Sequence, residues 1–322
     1  VTLDRFCGSG ITATNFAANA VMAGMEDLVV SGGTEMMSLP KKGMMPMGAG
    51  NAHLQELHPQ SHQGVCADAI ATIEGIPREA LDAHAAESQR RADIAIKEGR
   101  FEKSLIPVLN LDGTVALDHE EFPRPQTTAE SLAALSPSFP AVADYRHTED
   151  APTFRELINR KYPDVDIQHV HHAGNSSGVV DGAAAILMAG ESYAKAHGLT
   201  PRARIVATAN MGDDPTLMLN APVPAARKVL QRAGMTLDDI DIFEVNEAFA
   251  VVSEKFQRDL DLDRDKVNVN GGAMALGHPI GATGAILIGT VLDELERQDK
   301  QVGLITMCAG GGMAPAIIIE RV

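Results

Sequence analysis

Thr2-Leu3-Asp4-Arg5-Phe6-Cys7-Gly8-Ser9-Gly10 stands at the front of a chain of 322 residues. It reads as a strand, Thr2-Leu3, running into a tight glycine turn. A helix is expected over 12–23, then a strand at Leu28-Val29-Val30-Ser31-Gly32-Gly33. The helix is almost wholly small or apolar, so it has no solvated face and belongs between layers. Near the other end the same plan returns. A strand over 266–270 runs into Gly271-Gly272-Ala273-Met274-Ala275-Leu276-Gly277-His278-Pro279-Ile280-Gly281-Ala282-Thr283-Gly284. A helix (285–297), a strand (302–307) and the cluster Cys308-Ala309-Gly310-Gly311-Gly312 follow. Cys7 occupies the first turn and His278 the second. The shared plan suggests two related halves. Packed about a pseudo-twofold axis, they would set the helices behind Cys7 and His278 side by side.

Between these segments the texture changes. Met, Pro, Gly and His cluster over 40–62 and read as loop. Residues 77–98 form an amphipathic helix, with Pro77 at its start and Gly99 past its end. The stretch 107–140 is largely irregular, with a short helix at 128–135. A further helix is expected at 152–160. Regular α/β patterning resumes with helix 182–196, strand 203–209, helix 224–233, strand 240–244 and helix 247–260. The closing strand is 316–320.

Composition limits the function. Hydrophobic residues make up 45% of the chain and charged residues 22%, which fits a folded α/β protein rather than a disordered one. The 43 acidic and 27 basic residues leave a net charge of −16, so no basic field is present to hold a nucleic acid. No run of about 18 apolar residues exists to span a membrane. Three cysteines make no disulfide framework, which points to a reducing compartment and to the cytoplasm. The chain opens on Val1 without a leader pattern and reads as the middle of a protein.

Cys7 lies in a glycine turn ahead of a helix, where free N–H groups and the helix dipole favour a thiolate. The plainer alternative is a buried structural cysteine. His278, between Gly277 and Pro279, is well held for general-base work, or is simply a turn histidine. Asn246 ends a strand and caps a helix. The glycine-rich 271–284 stretch lacks G-x-G-x-x-G, and no Walker A sequence is present. Cys7, Cys66 and Cys308 lack zinc spacing, so no metal is expected. His169, His171 and His172 look metal-like, but the last two face opposite ways in an extended chain. Met44, Met45 and Met47 read as apolar lining.

Taken together, the motifs resemble the thiolase family of acyl-CoA C-acyltransferases. Asp4-Arg5-Phe6-Cys7-Gly8-Ser9-Gly10, Asn246-Glu247-Ala248-Phe249-Ala250, Asn270-Gly271-Gly272 with Gly277-His278-Pro279-Ile280-Gly281, and Cys308-Ala309-Gly310-Gly311-Gly312-Met313 carry the match. Ala173-Gly174-Asn175-Ser176-Ser177-Gly178 supports it. The resemblance implies an α/β thiolase fold, with two βαβαβαββ-type halves in α-β-α-β-α layers. Residues 1–37 and 178–198 would form an N-terminal half lacking its first part, 38–177 an inserted loop domain that binds coenzyme A, and 199–322 the C-terminal half. It implies Cys7 as nucleophile, His278 as its base and Cys308 as second acid/base. Asn246 would hold an oxyanion-site water, and the N–H groups of Cys7 and Gly310 would form a second oxyanion hole. Coenzyme A would meet Arg124, Ser131, Ala173, Gly174, Ser177, Ala248, Phe249 and His62.

The implied reaction is cleavage of 3-ketoacyl-CoA by coenzyme A, or the reverse condensation. Coenzyme A is then a substrate, no permanent cofactor is expected, and the chain would form a homodimer or homotetramer. Two departures bear on the acyl group: Gln63 stands where the family commonly has Met, and 141–168 looks like extra sequence. A non-catalytic acyl-CoA- or lipid-binding relative is the competing expectation. A synthase of the hydroxymethylglutaryl type is disfavoured by Cys308.

Overall fold

A computed structural model describes residues 1–39 and 51–322. The expectation for Met44, Met45 and Met47 falls outside the described residues. The chain begins with α1 (Ser9–Met22) and β1 (Leu28–Glu35). A long excursion follows: α2 (Ala52–Leu57), α3 (Gln63–Ile73), α4 (Arg78–Lys97), the hairpin β2 (Val108–Leu109) and β3 (Val115–Leu117), α5 (Ala129–Ala133), α6 (Pro140–Ala143) and α7 (Phe154–Asn159). The chain returns with β4 (Gly182–Ala189) and α8 (Glu191–Ala196), then β5 (Ala203–Gly212), α9 (Pro222–Ala233), β6 (Ile242–Val245) and α10 (Ala250–Leu260). It ends with α11 (Ala273–Leu276), α12 (Ile280–Arg297), β7 (Val302–Thr306) and β8 (Met313–Arg321).

The repeat is visible in this order. In one half α1 leads to β1, which pairs antiparallel with β4. In the other α12 leads to β7, which pairs antiparallel with β8. The excursion of 36–181 sits between the last two strands of the first half. The second sheet runs β5-β8-β7-β6, with β6 and β7 parallel.

Helices α1 and α12 form the layer between the two sheets. Thr14 Oγ1 meets Ser31 Oγ on β1 at 3.2 Å. On the other side, Asn15 Nδ2 donates to Ala209 O and Ala316 O of the four-stranded sheet. Ile11, Leu287, Ile288, Val291 and Leu295 bury against Ile242, Ile305 and Ile317 in one cluster. Each such side chain contributes about 1.5–3 kcal/mol when fully buried. The outer face of the second sheet is covered by α9 through Val223, Ala226, Val229 and Leu230.

Glycine sets the approach of the two central helices. A Cβ on Gly10 would lie 2.9 Å from the backbone nitrogens of Gly284 and Ala285. One on Gly284 would lie 2.2 Å from the nitrogen of Ile11. The helices behind Cys7 and His278 therefore pack side by side, as the repeat requires.

Several local expectations need correction. Residues 182–196 are not one helix: 182–189 form β4, paired along its whole length with β1. The alanines there favour a helix in isolation, but sheet pairing overrides so weak a preference. The two strands lie close: a Cβ on Gly32 would strike Ala184 O at 2.1 Å. Residues 266–270 form only isolated bridges, Val267 with Phe243 and Val269 with Gly271. Thr2-Leu3 is not a strand. Helix α3 and the β2–β3 hairpin went unread because neither shows clean periodicity. Helix α1 is only partly enclosed: Phe16 and Met22 are exposed, as are Val30 and Leu187 on the outer face of the β1–β4 sheet.

The glycine contact is testable within one helix pair. Gly10→Ala should destabilise the protein by about 1–3 kcal/mol through overpacking. Gly289→Ala, in open space on α12, should be neutral or stabilise by up to about 1 kcal/mol. Urea midpoints measure both, and equal midpoints would refute the contact.

Candidate active site

The turn before α1 is held in a costly shape. Phe6 has φ 52°, a left-handed conformation that costs a side-chain-bearing residue about 1–2 kcal/mol. Its amide donates to Asp4 Oδ1 at 2.9 Å, and its carbonyl accepts from Ser9 N and Ser9 Oγ. Arg5 N donates to Ser9 Oγ, while its guanidinium reaches Asn210 Oδ1 at 2.7 Å. These bonds fix Cys7 at the entrance to α1. Gly8 then packs on Ala309: a Cβ there would lie 3.2 Å from the Ala309 Cβ and 3.0 Å from Pro315 Cδ. The first turn thus touches the Cys308–Gly312 cluster.

His278 precedes α12 on a similar turn, with Gly277 at φ 89°. A Cβ on Gly277 would strike Val180 at 2.5 Å, so only glycine fits. His278 N donates to Gly178 O at 2.9 Å. Its Nδ1 lies 2.6 Å from Thr283 Oγ1. The Thr283 hydroxyl donates to Pro279 O, so it accepts from Nδ1–H. That assignment leaves the lone pair on Nε2, which lies 3.3 Å from Asn246 Nδ2. The ring therefore presents its basic nitrogen to the site.

Asn246 and Cys308 arrive from the neighbouring sheet. Asn246 follows β6 and donates its amide N–H to Thr306 O at 3.2 Å, while Cys308 lies two residues past β7. Both therefore stand beyond the carboxyl ends of adjacent parallel strands, the usual position for ligand sites in α/β sheets. The Asn246 Oδ1 has no hydrogen-bond partner among the described residues. Gly310 lies in the turn closed by the Ala309–Met313 pair.

The site is electrostatically quiet. Burial pushes the Cys7 thiol up to about 12; its own backbone N–H opposes this and Glu35 adds to it. Burial also raises the Cys308 thiol, and Cys7 is close enough to raise it further. Burial pushes His278 down to about 4. Burial thus opposes the thiolate that the helix end is expected to favour. The resting groups are two thiols and a neutral imidazole.

Of the residues expected to meet coenzyme A, Ala248 and Phe249 stand at the start of α10 and the others lie along the excursion. Arg124 is exposed, its guanidinium 5.9 Å from the Phe122 ring centroid, and its N–H donates to Gln89 Oε1 at 2.7 Å. Gln89 Nε2 in turn donates to Met274 O, in the turn before His278. Ser131 is exposed, but its hydroxyl takes part in the capping box of α5 with Thr128. Ala173 is exposed, and Gly174 packs on Leu132. Ser177 N donates to Ala248 O at 3.0 Å. Ala248 and Phe249 are buried, and Phe249 meets Phe139 and His171 edge-on. His62 caps α3 and sits 5.7 Å from Phe139 and Phe154.

The histidine cluster resolves into carboxylate partners. His169 and His171 share Asp68, whereas His172 pairs with Asp82. Cys66 is fully buried and donates to Thr216 O. Sequence reasoning missed Thr283, which orients His278, and Glu35, which accepts from Gly281 N at the start of α12. Thr283 lies one helical turn past Pro279, a spacing that could have found it. Glu35 comes from a distant strand and left no local signal.

Two outcomes follow. Alkylation of Cys7 by iodoacetamide should accelerate about tenfold per pH unit from about pH 6 to 10, because the thiol titrates above that range. A plateau near neutrality would contradict the raised thiol. Thr283→Val should lower kcat by roughly 10–100-fold through loss of ring orientation, with KM little changed.

Comparisons with known proteins agree along the chain. The family model for the thiolase N-terminal domain matches residues 1–144, and that for the thiolase C-terminal domain matches 199–321. Acetyl-CoA acetyltransferase of Thiocystis violacea is 40% identical over 337 residues, covering 100% of this chain and 79% of the relative. A 3-ketoacyl-CoA thiolase of Aeromonas hydrophila is 39% identical, covering 100% and 78%. The crystal structure of the dimeric peroxisomal thiolase of Saccharomyces cerevisiae superposes with TM-score 0.85 at 35% identity, covering 100% and 76%. Acetyl-CoA acetyltransferase of Bacillus anthracis gives 0.82 at 33%, covering 100% and 78%. The chain is an acyltransferase enzyme, and it belongs to the thiolase family.

Proposed function

We propose that the chain cleaves 3-ketoacyl-CoA with coenzyme A, or runs the reverse condensation, through an acyl group carried on Cys7. The observation that supports this most is that the turn carrying Cys7 packs on Ala309, next to Cys308, while the oriented His278 imidazole meets the Asn246 amide. Cys7 sulfur attacks the keto carbon as its proton passes to His278 Nε2. The carbon–carbon bond then breaks, and its electrons pass to the α-carbon of the departing acetyl-CoA, which takes a proton from Cys308. A second coenzyme A then attacks the Cys7 thioester carbonyl as its thiol proton passes to Cys308; the bond from the acyl carbon to Cys7 sulfur breaks, that sulfur takes back the proton held on His278, and the shortened acyl-CoA departs. Such a covalent route predicts ping-pong kinetics.

In this reading the N–H groups of Cys7 and Gly310 receive the oxyanion formed at Cys7. His278 and a water on Asn246 receive the thioester oxygen of the acetyl unit. Preorganised donors of this kind are worth about 3–4 kcal/mol each. Coenzyme A lies along Arg124, Ser131, Ala173, Gly174 and Ser177, backed by Ala248, Phe249 and His62. We assign 38–177 to this loop domain, 1–37 with 178–198 to the first half and 199–322 to the second. Arg124 supplies local positive charge for the phosphates on an otherwise acidic protein. Coenzyme A serves as substrate, no resident cofactor is invoked, the assembly is a homodimer or homotetramer, and the setting is cytoplasmic. A purely acyl-CoA-binding role has no use for the paired thiols and oriented imidazole.

Cys7→Ala should reduce thiolysis at least about a hundredfold. Retention of more would remove Cys7 as the nucleophile. Rates for 3-ketoacyl-CoAs from short to bulky then define the acyl group.

A further inference from the structure

We infer that Glu247 is a positioning residue: its carboxylate ties the 271–277 turn to α4 and so holds Asn246 and His278 in register. Glu247 follows Asn246 directly and is 1% exposed. Its Oε2 accepts from Ser88 Oγ on α4 at 2.7 Å and from Met274 N at 3.3 Å. Its Oε1 accepts from Asn268 Nδ2 at 3.1 Å. Ser88 Oγ also accepts from Gly272 N at 3.0 Å, so one hydroxyl bridges the carboxylate and the turn. The fit leaves no space: a Cβ on Gly272 would lie 2.4 Å from the Glu247 carboxyl carbon. One on Gly271 would lie 2.4 Å from Ser88 O.

The carboxylate is also charge-compensated. His84 Nε2 lies 3.7 Å from Glu247 Oε1, and its Nδ1 lies 3.3 Å from Glu254 Oε2. Ser253 Oγ is 2.7 Å from His84 Nε2. Burial works against the charge on Glu247, yet His84, Ser88 and Asn268 together hold it below the usual carboxylate range. Glu244, at the same depth on β6, goes the other way: burial and the nearby Glu247 and Glu294 push it well above that range. An ionised Glu247 is thus a property of its donors, not of the region. Its donors lie in the turn that ends at His278, and its own backbone carries Asn246. A shift of either group by a fraction of an ångström changes the reaction geometry.

The inference rests on the thiolysis reading, and the test separates the two. Wild type, Glu247→Gln and Ser88→Ala are assayed for kcat and KM toward coenzyme A, with rates normalised to the sites that take up an acetyl group from acetyl-CoA. We expect kcat per site to fall on the order of a hundredfold for Glu247→Gln and tenfold for Ser88→Ala, with KM within about twofold. A purely structural role would lower the number of competent sites and leave kcat per site unchanged; that result overturns the inference. If Glu247→Gln does not fold, Ser88→Ala carries the test by the same criterion. An inactive, unacetylated wild type would instead overturn the functional reading, and this inference with it.

Discussion

The contact between Gly10 and Gly284 is the constraint on which the rest depends. Two helices can approach so closely only where neither carries a side chain. Because α1 and α12 touch near their starts, the residues that precede them, Cys7 and His278, are brought into one place. The sheets enforce the same meeting. Asn15 and Thr14 anchor α1 to both layers, while Gly33 lets β1 press on the first turn of α12. Asn246 and Cys308 then come from the ends of β6 and β7 on the sheet beneath. The arrangement of the candidate site is therefore a product of how the layers stack, not of any one loop.

Helix α4 plays a second part in this arrangement. From one face it supplies Asp82 to His172 and Asn175, His84 and Ser88 to Glu247, and Gln89 to both Arg124 and Met274. It links the segments proposed to bind coenzyme A to the turn before His278. Burial raises both thiols and lowers the imidazole, so an ion pair between them is disfavoured at rest. In the proposed reaction charge develops only as a substrate carbonyl arrives to accept it, which spends the donors on the transition state.

The sequence made much of this legible. Glycine turns around Cys7, His278 and Cys308 mark backbone positions that only glycine tolerates, and the structure places steric walls at Gly8, Gly277 and Gly312. The repeat was readable because α1–β1 and α12–β7 share a pattern of small residues and apolar strands. What escaped depends on distance. The 182–189 strand looks helical because of its alanines, while the pairing that makes it a strand lies in β1. The raised thiol left no trace in the sequence because a local rule about helix ends does not see burial by remote residues. Glu35, Thr283 and Glu247 act across the fold, and only the last lies within a recognised motif.

The most direct measurement is the mass of the intact protein after brief mixing with acetyl-CoA, followed by peptide mapping. The account predicts a gain of one acetyl group, carried on Cys7 and discharged by added coenzyme A. No gain, or an acetyl group on another residue, would contradict it.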